Sequence, residues 1–215
     1  MAITRVQEKS ATGTSTTPSV TFTTPSTAGN LLIAMVAYIA GATIVSPAGL
    51  STAVSNLNGA GALTYIFYQL NNPGSISTIS ASLSTSQPWI MFIAEYTGLA
   101  ASAALDQTNI GTAAMGPAPS GAVTTTMANE VIIAGMSTNF SDTFSSPTNS
   151  FTLVDQVSVA STIAAAYLDR IVSSIGTYST SANNFDGGNG LIASFSTIPI
   201  PVTNEFNAVW SGSVF

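Results

Sequence analysis

Acid–base chemistry in this chain can come only from carboxylates. Nine acidic residues face three basic ones, Arg5, Lys9 and Arg170, and there is no His and no Cys. A thiol nucleophile, a Cys/His zinc site, a histidine acid–base pair and a disulfide framework are therefore excluded. The acids Glu95, Asp106, Glu130, Asp142, Asp155, Asp169, Asp186 and Glu205 stand singly along the chain, with no E-x-D or D-x-D cluster. Glycoside hydrolysis needs two carboxylates facing one bond. Glu95, ending an apolar strand, and Asp169, placed one or two strands away by an internal echo, are the pair that could meet across a sheet. The plainer reading, adopted here, is that both are strand-end charges that keep the surface wet. No catalytic residue is assigned, and the expectation is a protein that is not an enzyme.

Two other chemistries have candidate residues. The run NNFDGGNG at 183–190 could offer Asp186, Asn side chains and backbone oxygens to Ca²⁺, but one carboxylate makes a poor site. A turn that uses Asn and Gly for positive φ explains it better. Trp89, Tyr96, Tyr178 and Trp210, with Asn183, Asn184 and Asn189, could supply the aromatic and amide groups of a sugar site, although aromatics in β-sandwiches more often fill cores. No cofactor or metal is expected. Three cations cannot neutralise several phosphates, so no nucleic-acid partner is expected either.

The elements that would position these residues read as strands. With 215 residues, 46% hydrophobic and only 6% charged, the chain is long enough for a large core, and Ser and Thr carry most of its polarity. Period-2 patterning predicts strands at 3–9, 19–24, 30–39, 51–57, 63–70, 75–84, 89–97, 122–127, 130–138, 151–158, 162–172, 178–182 and 190–197. Asn58-Gly59, Asn71-Asn72-Pro73-Gly74, Gln87-Pro88, Gly116-Pro117-Ala118-Pro119, Ser146-Pro147 and Asp186-Gly187-Gly188 separate them as turns. A helix is expected only at 99–105, LAASAAL. The apolar run 31–50 is long enough to span a membrane, but Gly41, Thr43, Ser46, Pro47 and Gly49 interrupt it and no cation flanks it. We read it as a buried strand, with no membrane partner. The opening MAITRVQEKSATG has no apolar core of a secretory signal.

The chain also repeats itself at an offset of about one hundred residues. VTFTT…AGNLLIA (20–34) echoes VTTT…ANEVIIA (123–134), and TYIFYQL (64–70) echoes IAAAYLDRI (163–171). ISTISASLS (76–84) and WIMFIAEY (89–96) then echo YSTSAN (178–183) and GLIASFST (190–197). The same order of five elements occurs twice, as expected of two Greek keys. The expected fold is all-β, a two-sheet antiparallel β-sandwich of jelly-roll type with an internal pseudo-repeat. Strands 63–70 and 89–96 are apolar on both faces, which suggests a covering subunit and hence a homo-oligomer.

Residues 1–18 hold Arg5 and Lys9 ahead of the polar stretch ATGTSTTP. They are read as an N-terminal arm whose two cations contact a partner, followed by a single β-sandwich domain over 19–215. The pattern VTFTTPSTAGNLLIAMVAY…YIFYQL…ISTISASLS…PWIMFIAEYTGL…LDQT resembles β-sandwich virion proteins of tailed phages, over most of residues 20–140. The resemblance implies a capsid decoration (cement) protein, trimeric, bound to the major capsid protein of a virion assembled in the host cytoplasm. It carries no catalytic residue. The alternative it implies is a tail-fibre domain that binds a receptor or glycan.

Overall fold

The structure is a computed structural model and describes residues 2–57, 62–184 and 186–199. The first half contributes β1 (Thr4–Ser15), β2 (Ser19–Thr21), β3 (Leu31–Tyr38), β4 (Ile44–Val45), β5 (Ser51–Asn56), β6 (Leu63–Gln69), β7 (Thr78–Ser80), β8 (Ser82–Leu83) and β9 (Gln87–Thr97). The second contributes β10 (Leu105–Ala113), β11 (Ala118–Thr124), β12 (Glu130–Thr138), β13 (Thr152–Val159), β14 (Ile163–Val172), β15 (Thr177–Ala182) and β16 (Gly188–Ser196). All named ladders are antiparallel, and no helix occurs among the described residues.

Each half makes its own five-stranded sheet, in the order β1-β9-β3-β6-β5 and β10-β16-β12-β14-β13. Strand for strand these orders are the same, and β2-β7 has its counterpart in β11-β15. Pairs nest in both halves: first strand with last, second with β7 or β15, third with the Tyr-bearing strand. That nesting is the jelly-roll order, and it occurs twice. The all-β antiparallel sandwich and its pseudo-repeat are therefore present.

The two large sheets pack face to face, the first carrying β2-β7 and β4-β8 on its outer side and the second β11-β15. Along β3 alternate residues divide between layers: Leu31, Ile33, Met35 and Ala37 join the central layer, while Leu32, Ala34, Val36 and Tyr38 face the small sheets. The central layer takes Val131, Ile133, Tyr167, Leu191 and Phe195 from the other half. Ile132, Ala134, Met136 and Ile192 instead pack outward in the second half's own core. Strands apolar on both faces are thus covered within one chain. The outer faces of the small sheets carry hydroxyl pairs at equivalent positions, Thr21–Thr78 and Thr124–Thr177, each at 2.9 Å. Such cross-strand pairs let a chain with few charges face water.

Two expectations change. The segment 99–105 is not a helix but a crossover of bends joining the halves, pinned where Ala100 N donates to Ser196 O and Ser196 N to Ala104 O. It leads directly into β10, which alternation did not reveal. The run 31–50 holds β3 and β4, and no helix of the described residues is long and apolar enough to cross a membrane. Residues 1–18, read as an arm, contain β1, which pairs with β9 from Thr4 to Ser15 and forms the edge of the first sheet. The Asn58-Gly59 turn lies outside the described residues.

Candidate functional site

The polar side chains with the greatest chemical potential gather at the seam between the halves. Arg5, on β1, reaches across to β14 and pairs with Asp169 at 2.5 Å. Tyr96 Oη donates to the same Asp169 oxygen at 2.8 Å and lies 3.1 Å from Tyr167 Oη. Both tyrosines are fully buried, and burial pushes their pKa values well above the usual phenol range. Further along the seam Ser10 Oγ donates to Asp155 at 2.6 Å. Glu8 sits beside them, and one of its oxygens is enclosed without a hydrogen-bond partner. Burial, then the neighbouring Asp155, push its pKa up to about 7 against the pull of Arg5 and Lys9.

Pseudo-symmetry shows what this cluster replaces. The register pairs Leu31 with Tyr96 in one half and Val131 with Phe195 in the other, so Tyr96 corresponds to Phe195. By the same reasoning Asp169 corresponds to Tyr68, and Arg5 to Leu105. Where the first position has an ion pair under a tyrosine, its counterpart has Tyr68 tilted against Phe195 at 5.3 Å, with Leu105 packed on the same layer. The opposite end of the seam holds a second polar node. Thr64 Oγ1 and Ser137 Oγ lie 2.5 Å apart, one donating to the other, and both lie within reach of Ala62 O, to which Asn189 Nδ2 donates. Asn56 Nδ2 donates to Gly111 O and Gly190 O, each at 2.9 Å, tying β5 to the second sheet.

Glu95 does not meet Asp169. Tyr96 faces the central layer, so its neighbour Glu95 faces outward, fully buried. There it accepts from Thr27 N at 2.8 Å, Asn30 Nδ2 at 2.6 Å and Gln7 Nε2 at 2.7 Å. Besides Glu8 and Asp155, the carboxylates that approach each other are Asp106 and Glu130, which the sequence marked only as single charges.

The other candidates are placed as follows. Trp89 is buried and donates to Ser15 Oγ at 3.0 Å. Tyr178 takes Arg170 over its ring at 5.0 Å. Asn184 bonds its own turn, donating to Gly187 O and accepting from Ala118 N, while Gly187 has φ of 67°. Trp210 lies outside the described residues. No group of three or more potential metal-ligating side chains occurs among the described residues. Lys9 is exposed on β1.

Two open grooves lie at the end where β1 starts and β16 finishes. One, of about 450 Å³, is lined by Ala2, Ile3, Asn129, Ile171 and Thr197 among others. The other, of about 660 Å³, runs past Thr27, Asn30, Leu99, Thr197 and Ile198. Neither is lined by a carboxylate. No family model matches the chain, and no curated protein or solved structure is significantly similar to it.

Proposed function

We propose that the protein is a non-enzymatic structural component of a phage virion, a decoration protein that braces the capsid from outside. The observation that carries this reading is the use made of the reactive side chains. Arg5, Asp169, Tyr96, Glu95, Trp89 and Asn189 all hold strands or halves together. The water-facing small sheets present hydroxyl ladders instead of a cleft with opposed groups. A rigid, protease-poor block with little charge suits a particle surface. The resemblance of residues 20–140 to tailed-phage sandwich proteins supports the same reading, and the trimer rests on that resemblance alone, because the doubly apolar strands are covered within the chain.

Of the two cations proposed to contact the shell, Arg5 already has an internal partner, so Lys9 is the one that would reach the major capsid protein. An exposed ion pair contributes about 0.2–1 kcal/mol. Lys9→Glu is expected to weaken co-sedimentation with undecorated heads modestly, more at low salt than at high. Quantitative mass spectrometry of purified particles tests the reading as a whole. Hundreds of copies per particle are expected. A handful would indicate a fibre component, and none would remove the protein from the virion.

A further inference from the structure

We propose that Glu130 and Asp106 share one proton, so that a neutral acid donating to a carboxylate holds the corner where the second half begins, and losing that proton loosens it. Asp106 follows the crossover directly. It clasps the turn between β11 and β12, accepting from Thr126 N and Thr126 Oγ1, each at 2.6 Å, and from Gln107 Nε2 at 3.1 Å. Glu130 opens β12 with no exposed surface, and neither of its oxygens meets a hydrogen-bond partner of good geometry.

The first half shows how the same pocket is built when N–H donors surround its carboxylate. There Glu95 stands opposite Leu32, surrounded by N–H groups from Thr27, Asn30 and Gln7. In the second half Ser194 stands opposite Ile132 in the place of Glu95, and Glu130 occupies the place of Asn30. The carboxylate has moved from the last strand to the third, and of the N–H groups around Glu95 only the amide at the Thr27 position, that of Met127, still faces it. Asp106 offers only acceptor oxygens unless one of the two acids is protonated. With Glu130 enclosed and Asp106 half-buried beside it, two anions are unfavourable enough that the enclosed one takes up a proton.

Three groups face Glu130: Asp106 from β10 favours its protonated form, while Ser194 Oγ from β16 and the Met127 amide from the turn favour the ionised one. Burial first, then Asp106, push the Glu130 pKa up to about 8. Asp106 is held below its usual value because its Thr126 bonds outweigh burial. The proton therefore belongs on Glu130. The inference is independent of whether the protein coats a particle.

The test is thermal unfolding of the full chain from pH 5 to 10. A group with a raised folded-state pKa contributes stability that is complete below the unfolded value and is lost as pH rises through the folded one. The wild type should lose on the order of 5 °C in Tm between pH 7 and 9. Glu130→Gln keeps a donor toward Asp106 without a titrating proton. It should lose most of the decline over that range, keeping only the smaller part due to Glu8, and be unchanged at pH 6. Glu8→Gln should keep most of the decline, and the double variant should be flat. Infrared spectra of the wild type should show a protonated-carboxyl band giving way to carboxylate near pH 8. Persistence of the full decline in Glu130→Gln, or absence of that band, overturns the proposal. So does a rise in Tm with millimolar Ca²⁺ in the wild type that Glu130→Gln lacks, since the pocket would then hold a cation.

Discussion

At the scale of single residues, the halves are matched by unequal partners at equivalent positions. Met35 and Gly135 are counterparts that meet each other: a Cβ on Gly135 would lie 2.5 Å from Met35 Sδ. Gly135→Met should therefore overpack the central layer and cost about 1–3 kcal/mol. The exchange Met35→Gly with Gly135→Met should recover most of that loss in denaturant titrations. Asp169→Ala should cost about 3 kcal/mol, because it leaves the Arg5 guanidinium and the Tyr96 hydroxyl without their acceptor. Copying the opposite position, as Arg5→Leu, Tyr96→Phe and Asp169→Tyr together, should restore stability to near wild type. A triple variant as unstable as Asp169→Ala would show that the two positions are not interchangeable. None of these partnerships was legible locally. Arg5 and Asp169 are 164 residues apart, so a rare cation near the N-terminus read as an arm. The substitution of Glu130 for Asn30 was visible in the echo, yet its meaning depends on Asp106 arriving from another strand.

At the scale of elements, most strands were legible because their residues alternate between two apolar layers or between a core and water. The span of β12, Glu130–Thr138, is legible in full from the sequence. The misses share a cause. In β10, Leu105–Ala113, the sequence LDQTNIGTA lacks apolar alternation because an edge strand is largely exposed. The crossover before it is rich in Ala and Leu, but both its ends are fixed by bonds to Ser196, which leaves no room for helical turns. The continuation of β1 through Ala11–Ser15 was hidden for the same reason as β10: its side chains are small and polar, and its order comes from the β9 ladder. Deleting residues 1–18 should consequently remove an integral strand, unpair one edge of β9 and break the Arg5–Asp169 contact. The expected outcome is an insoluble chain or one with a reduced β signal in circular dichroism. A soluble truncated protein with an unchanged spectrum would return these residues to the status of an arm.

At the scale of the whole molecule, the echo was the most informative signal, since equal order in sequence became equal order in two sheets. What it did not disclose is that the halves would cover each other, which removes the main physical reason for expecting a subunit partner. The central layer draws on both halves without a dividing gap, so calorimetry should show one unfolding transition, with calorimetric and van't Hoff enthalpies in agreement. Two resolved transitions would mean that the halves are separate cooperative units. The placement of residues 2 and 197 has a mechanical consequence as well. Ala2 and Thr197 line one groove, yet they lead into strands of opposite standing. The strand after Ala2 has a ladder on one side only, to β9, and a pull there breaks its rungs one at a time from Thr4·Thr97 onward, meeting the Arg5–Asp169 and Ser10–Asp155 contacts singly. The strand before Thr197 lies between β10 and β12, and the same pull must load two ladders at once. An anchorage through residue 197 is stiff, whereas one through residue 2 is compliant and peels before the rest of the molecule yields.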